Sequence, residues 1–135
     1  FAGQLAVALV VLNRVNDHRF PNTICEVVHQ GPVKESWKTK NKQLMEHERI
    51  YYPVRHKCQF SWYCDGLKDT IKKTDAKLYD DLFKMSMSLV TGEIQVVDIT
   101  EGATHFHADY VRPAWRKTKT RTIEIEDHIF YRWEK

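Results

Sequence analysis

Residues 3–16, GQLAVALVVLNRVN, are the stretch that most constrains what this chain can fold into. Apolar residues recur there at helical spacing, and further valines occupy the remaining faces: Leu5, Ala8, Leu9, Leu12 and Val15, then Val7, Val10 and Val11. A helix that is apolar nearly all round is normally buried. The run Leu5–Leu12 is too short to cross a bilayer. The stretch therefore predicts a central, buried helix and no membrane span.

The rest of the chain favours helices first and strands last. A short helix through Cys25–His29 can be capped by Asn22 or Thr23. Residues 69–90 are amphipathic and end at Thr91–Gly92, with Leu78, Leu82, Met85 and Leu89 on one face. Residues 122–125 and 129–133 are rich in β-branched and aromatic side chains, which predicts two short strands. The predicted fold class is α+β, predominantly α, with a small β element near the C-terminus.

Length and charge limit the number of domains and the kinds of partner that this chain can have. A chain of 135 residues is predicted to form one domain, residues 1–135. Residues 33–57 are polar and charge-dense, and we interpret them as an insertion with one exposed helix around residues 44–50. The net charge is only +3, and the basic residues are scattered through 34–57 and 112–121. This pattern argues against a nucleic-acid-binding protein.

The sequence indicates no clear nucleophile among its cysteines and serines, and no clear general acid among its carboxylates. Three cysteines permit one disulfide at most, and Cys58 and Cys64 are the closest pair. Cys58 follows His56 and Lys57, so it could instead be a reactive thiol. Ser61 lacks the GxSxG turn of a hydrolase. No Asp or Glu lies in an apolar setting that would raise its pKa.

The segment GATHFHADYVRPAW (102–115) raises the question of a metal site. His105 and His107 would lie on the same face of a strand, and His128 could be a third ligand. Zinc sites normally show three or four ligands at recognisable spacings, and the cysteines form no CxxC pair. The alternative is that these histidines bind backbone groups or face solvent, and no metal is predicted.

Three stretches in order carry a resemblance: GQLAVALVVLNRVNDHRFPNTICEVVHQ, CQFSWYCDG, and GATHFHADYVRPAW followed by HIFYRW. Together they are similar to the SleB-type cell wall hydrolases, a family that includes cortex-lytic enzymes of germinating spores and enzymes of Gram-negative bacteria and phages. Residues 33–57 lie outside the resemblance.

The resemblance implies a lysozyme-like, lytic-transglycosylase-type fold that acts on peptidoglycan. Such enzymes cleave the β-1,4 bond between N-acetylmuramic acid and N-acetylglucosamine with a single Glu as acid and no cofactor. The muramoyl 6-hydroxyl or water then captures the sugar cation. The implied substrate-binding residues form two sides of a saccharide groove: Gln59, Phe60, Ser61 and Trp62 on one side, and Thr104, His105, Tyr110 and Trp115 on the other.

The sequence departs from the family pattern at two positions. The family's acid Glu lies about two helical turns before the Gly that aligns with Gly3, so it would precede Phe1. We therefore expect the natural chain to continue N-terminally, the alternative being an inactive polypeptide, and the catalytic residue within this sequence is unknown. Glu126 stands where the family commonly has Gly, which puts the local turn and any close backbone approach there in question.

The implied partners are peptidoglycan glycan strands, with other virion proteins or a longer parent polypeptide as further candidates. The implied location is the virion, or the periplasm and extracellular envelope. Two other functions stay open: a non-catalytic peptidoglycan-binding or virion structural module, and a metal-dependent amidase. For individual side chains, we expect His105 to hydrogen-bond, His107 to be exposed, and Asn13 and Arg14 to cap the helix and form an ion pair. Core positions are expected for Phe60, Phe106, His128 and Phe130.

Overall fold

The computed structural model of the chain describes residues 1–134. These residues form two compact units, one made of Phe1–Ile24 together with the chain from Thr70 onwards, the other of Cys25–Asp69. The helices are α1 (Ala2–Val15), α2 (Ile24–Val28) and α3 (Ala76–Thr91). The strands are β1 (Val33–Glu35), β2 (Tyr51–Pro53), β3 (His105–Ala108), β4 (Thr120–Ile125) and β5 (His128–Arg132).

Helix α1 confirms the prediction of a buried N-terminal helix. Every residue from Leu5 to Val15 is buried or half-buried. Ala6 and Val10 have no exposed surface at all. The helix ends at Asn16, whose backbone N–H donates to the carbonyls of Arg14 and Leu12. Its burial on all sides explains why no polar face is visible in the sequence.

Three strands form an antiparallel sheet in the order β3-β5-β4. Because side chains alternate along a strand, Phe106 and Phe130 point to one face, and His105, His107 and Tyr131 to the other. Phe130 packs with Ala6, Val10 and Ala103 in the core, so the first face lies against α1. We call it the inner face and the opposite one the outer face. Partly buried side chains complete the core: Ile99, Phe106, Ile123 and Ile125.

The end of α1 is joined to the loop before β3 by hydrogen bonds. The Asn13 amide donates to an Asp98 carboxylate oxygen (2.8 Å) and to the Ala103 carbonyl (2.9 Å). The Arg14 Nε donates to the Thr104 carbonyl (2.7 Å), and the Arg14 side chain is only 4% exposed. Burial lowers the pKa of Arg14 to about 10. The predicted capping role of Asn13 is therefore wrong, because its amide reaches across to a different segment.

Helix α3 begins later than the sequence predicts. A 3-10 turn at Lys73–Asp75 precedes it, and residues 69–72 are not helical. Lys72 and Lys73 would place positive charge at a helix N-terminus, where the helix dipole opposes it. The predicted end is confirmed, because Gly92 adopts a left-handed φ of 77° as the C-cap.

The second unit contains the predicted insertion, residues 33–57. Strands β1 and β2 pair antiparallel, with Lys34 opposite Tyr52. Arg49 holds the intervening loop: its guanidinium binds the Glu35 carboxylate (3.0 Å) and the carbonyls of Thr39, Lys42 and Leu44. The helix predicted around residues 44–50 is therefore wrong. Only a 3-10 turn forms there, at Glu46–Glu48, and the Leu44 carbonyl, which a helix would use, accepts from Arg49 instead.

Within residues 1–134 the structure is mixed α+β, as the sequence predicts, with three α-helices and two small sheets. The prediction that helices predominate is not confirmed. Within residues 1–134 no helix is both long and apolar enough to cross a membrane.

Two valines in helices allow a matched test of the α1 packing. We expect Val10→Ala to lower the free energy of unfolding by about 2 kcal/mol, because it removes two buried methyl groups and leaves a cavity. Val90→Ala, in α3, changes a side chain that is 58% exposed and should change stability by less than about 0.5 kcal/mol. Urea denaturation of both variants checks this. Equal losses would show that α1 is not the centre of the core.

Candidate functional site

The outer face of the sheet brings together two of the four residues predicted on the C-terminal side of the groove. Trp115 lies on a 3-10 helix, Ala114–Thr118, and covers this face. Its ring centroid is 5.3 Å from that of His105 and 5.3 Å from that of Tyr131. His105 also contacts Phe20 and Trp133, with centroids 5.9 and 5.7 Å apart. We call this group of rings, Phe20, His105, Trp115 and Trp133, the aromatic wall.

His105 is oriented by its neighbour in sequence. The Thr104 hydroxyl lies 2.9 Å from His105 Nδ1. When the hydroxyl donates to Nδ1, the neutral ring carries its proton on Nε2. Nε2 has no hydrogen-bond partner among residues 1–134, so it can donate to a ligand.

Burial, together with nearby positive charges, keeps the His105 ring neutral. Burial lowers the pKa of His105 to about 4, and the positive charges of Arg14, Lys119 and Arg19 add to this effect. Asp17 acts in the opposite direction. Asp17 is already paired with Arg19 at 2.7 Å, which lowers the pKa of that carboxyl to about 2. At neutral pH, His105 is therefore a neutral hydrogen-bonding group.

His107 is buried, so the expectation that it is exposed is wrong. Only 7% of its surface is accessible, because Trp115 covers the outer face at a centroid distance of 5.7 Å. Its Nδ1 lies 2.7 Å from the Ala108 carbonyl and its Nε2 lies 2.9 Å from the Tyr131 hydroxyl. A carbonyl only accepts, so Nδ1 carries a proton, and Nε2 of the neutral ring accepts from Tyr131.

The other two residues predicted on the C-terminal side of the groove, Thr104 and Tyr110, are not part of the aromatic wall. Thr104 is only 4% exposed, so its hydroxyl positions His105 and is withdrawn from solvent. Tyr110 is 84% exposed and follows β3 in the loop toward Pro113.

In the second unit, the CQFSWYCDG segment exposes most of its predicted contacts. Gln59 and Ser61 are exposed, and Trp62 is 42% exposed. Phe60 is buried beneath Trp62, with ring centroids 4.8 Å apart. Phe60 thus supports Trp62 from within, as expected of a core residue.

Cys58 and Cys64 are joined by a disulfide, and Cys25 is an exposed free thiol. A nucleophilic cysteine needs a thiolate. The alternative that Cys58 is a reactive thiol is therefore wrong. The disulfide closes the short loop that carries Gln59, Ser61 and Trp62.

The three histidines do not converge on one point. His128 faces the inner side of the sheet and contacts Phe106 at 5.6 Å, while His105 and His107 lie on the outer side. The part of the chain that the structure describes contains no group of three or more His, Cys, Asp or Glu side chains able to hold a metal ion.

Three carboxyl groups have a shifted pKa, and all three shifts are downward. The first is Asp17, described above. Burial alone would raise the pKa of the second, Asp98, but hydrogen bonds from Thr100 and Asn13 bring it below the ordinary value. A hydrogen bond from Arg132 lowers the pKa of Glu134. A general acid needs a raised pKa, so these three carboxyls are unsuited to that role.

Glu126, where the family commonly has Gly, forms the turn between β4 and β5. Its φ is 53°, a left-handed value, and Ile125 pairs with His128 around it. A positive φ at the first residue of a two-residue hairpin loop normally selects glycine. The Glu126 carboxylate reaches Gly3 at the start of α1, where an added Cβ would lie 2.5 Å from Oε2. The turn therefore persists, with a carboxylate against the N-terminal end of α1.

Comparison with known proteins gives two kinds of match. The sequence profile of a family described as cell wall hydrolases matches residues 1–131. The catalytic domain of the germination-specific lytic transglycosylase SleB from Bacillus anthracis has a similar fold. Its TM-score is 0.52 at 24% identity, and the match covers 96% of this chain and 78% of that one. The catalytic domain of the Bacillus cereus SleB protein gives 0.48 at 23% identity, with 96% and 74% covered. None of the curated proteins compared matches the chain.

The lowered pKa of His105 makes stability depend on pH. The folded value, about 4, lies below the ordinary 6.5, so the unfolded chain binds more protons between these two values. Stability should be full above pH 6.5 and should fall as the pH is lowered toward 4. Urea midpoints measured across this range should show the fall, and His105→Gln should make it shallower. An NMR titration that places His105 near 6.5 would contradict this description of the site.

Proposed function

This chain belongs to the cell wall hydrolase family, and we propose that it cleaves the glycan strands of peptidoglycan. The family match over residues 1–131 is the observation that carries the proposal, because it spans the first two motifs of the SleB-type resemblance and all but the last two residues of the third. That resemblance is confirmed. The fold shared with a SleB catalytic domain supports the same activity.

The bond cleaved is, in this proposal, the β-1,4 linkage between N-acetylmuramic acid and N-acetylglucosamine. A Glu N-terminal to Phe1 protonates the leaving oxygen, and the muramoyl 6-hydroxyl or water captures the sugar cation. The lowered pKa of Asp17, Asp98 and Glu134 supports an acid from outside this set.

The aromatic wall supplies the sugar contacts. A flat ring such as Trp115 can stack on a pyranose, and Nε2 of neutral His105 can donate to a sugar hydroxyl or an N-acetyl carbonyl. Because the His105 ring is neutral and held by Thr104, it offers a fixed donor without a charge that would need a counterion. Tyr110 offers an exposed hydroxyl in the loop after β3. Within the second unit, the exposed side chains of Gln59, Ser61 and Trp62 are the proposed sugar contacts.

The protein acts, in this proposal, outside the cytoplasm, in the periplasm or extracellular envelope or as part of a virion. Peptidoglycan lies in that compartment. The Cys58–Cys64 disulfide supports an oxidising environment.

Product analysis tests the proposed reaction. Purified sacculi are incubated with the full-length protein, and the soluble products are identified by mass spectrometry. Glycan cleavage releases muropeptides that end in 1,6-anhydromuramic acid or in a new reducing muramic acid. Free stem peptides whose release stops after treatment with a chelator would indicate an amidase instead. Binding to sacculi without any soluble product would indicate a non-catalytic module.

Removing the flat ring at Trp115 should weaken this reaction. We expect Trp115→Ala to lower kcat/KM about tenfold, the loss expected when a stacking interaction of about 1.4 kcal/mol is removed. Trp115→Phe keeps a flat face and should retain most of the activity. Trp37→Ala, which truncates a side chain that is 79% exposed in the second unit, is the matched control. A folded Trp115→Ala protein with wild-type kcat/KM would exclude Trp115 from the sugar site.

A further inference from the structure

A second site lies beside the aromatic wall, on the outer face of the sheet. A cavity of about 340 Å³ is bordered by three arginines, Arg112, Arg116 and Arg121, and His107 and Tyr131 also line it. The three arginines come from different elements: the loop after β3, the 3-10 helix at Ala114–Thr118, and β4. The fold thus gathers basic residues that are scattered through positions 112–121 of the sequence.

Two of the arginines have no charged partner. Arg121 pairs with Glu124 at 3.0 Å. Arg112 Nη1 donates to the carbonyls of Asp109 and Val111, and Arg116 Nη1 donates to the Pro113 carbonyl. Neither Arg112 nor Arg116 forms an ion pair with a carboxylate within residues 1–134. With Asp109 and Glu124 also at the cavity, three guanidiniums face two carboxylates, and positive charge is left over.

The side chains of His107 and Tyr131, which line the cavity, are hydrogen-bonded to each other, so their polar atoms already have partners. His107 donates from Nδ1 to the Ala108 carbonyl and accepts at Nε2 from the Tyr131 hydroxyl. Both side chains are buried, with 7% and 5% of their surface exposed. An anion that enters the cavity therefore depends on the guanidinium groups for its hydrogen bonds.

Trp115 connects this cavity to the aromatic wall. The same ring contacts His105 of the wall and both His107 and Tyr131 of the cavity, with centroid distances between 5.3 and 5.7 Å. A group attached to a sugar that stacks on the wall would therefore reach the arginines after a short extension. In peptidoglycan, such a group is the peptide that N-acetylmuramic acid carries through its lactyl ether.

We propose that Arg112 and Arg116 bind a free carboxylate of the peptidoglycan stem peptide in this cavity. The inference rests on the proposed function and adds a peptide subsite to its glycan site. A guanidinium matches a carboxylate with two parallel hydrogen bonds, which suits a carboxylate better than an isolated ammonium would. The subsite would make the enzyme prefer glycan strands whose muramic acid still carries its peptide.

Binding measurements on three soluble ligands test the subsite. The ligands are a disaccharide-tetrapeptide muropeptide, the same muropeptide with its carboxylates converted to methylamides, and chitotetraose. Titration calorimetry should give the wild-type protein at least tenfold tighter binding of the carboxylated muropeptide than of the methylamide. Arg112→Gln/Arg116→Gln should remove this preference and leave the binding of chitotetraose unchanged. Lys117→Gln removes one positive charge from the same 3-10 helix outside the cavity and should change nothing.

A variant that binds more tightly provides a second test, because a misfolded protein would not gain affinity. Glu124→Gln removes a competing carboxylate and releases Arg121, so it should tighten binding of the carboxylated muropeptide about threefold or more. Glu101→Gln removes an exposed carboxylate away from the cavity and should have no effect.

The possible results separate the subsite from the proposed reaction. The proposal is overturned if the wild-type protein does not bind the carboxylated muropeptide, or binds it no better than the methylamide. Inorganic phosphate that displaces the carboxylated muropeptide at concentrations no higher than those at which the muropeptide itself binds would show a general anion site, and would also overturn the proposal. Cleavage of sacculi without a carboxylate preference would leave the glycan activity intact and remove only the subsite. Binding that depends on Arg112 but is not accompanied by cleavage would support the subsite and contradict the proposed glycan cleavage.

Discussion

The packing of α1 against the inner face of the three-stranded sheet is the constraint on which the rest of the structure depends. Val10 and Phe130 meet there with no exposed surface. Because side chains alternate along a strand, a shift of one residue would exchange the two faces of β3 and β5. Burying Phe106 and Phe130 against α1 therefore fixes His105, His107 and Tyr131 on the outer face. The position of the candidate site follows from the packing of the core.

The same helix also sets the electrostatics of the site. Arg14, the penultimate residue of α1, donates to the carbonyl of Thr104, the residue that orients His105. Burial lowers the pKa of the His105 ring, and the positive charges of Arg14, Lys119 and Arg19 lower it further. One buried arginine thus joins α1 to β3 and adds to the effect of burial that keeps a neighbouring histidine neutral. A neutral, fixed donor beside flat rings is suited to an uncharged sugar, while the arginines on the far side of Trp115 are suited to a carboxylate.

Some of this could be predicted from the sequence, and the failures have physical causes. The apolar residues on every face of α1 predict its burial, and the β-branched residues of β4 and β5 predict strands. His107 was expected to be exposed because its cover, Trp115, belongs to a separate 3-10 helix and no periodic pattern links the two. Around residues 44–50 the Leu44 carbonyl, which a helix would use, accepts from the side chain of Arg49, and the sequence pattern does not reveal that contact. The arginine cavity is invisible in sequence because β5 must first pair between β3 and β4 before Arg121 of β4 and Arg112 of the loop after β3 line one cavity.

A crystal structure of the protein with a bound muropeptide would test the central claim most directly. The account predicts a pyranose ring against Trp115, with a sugar oxygen within hydrogen-bond distance of His105 Nε2. A glycan bound only elsewhere, for example at the cavity formed by Lys34, Tyr52 and Tyr63 of the second unit, would contradict it.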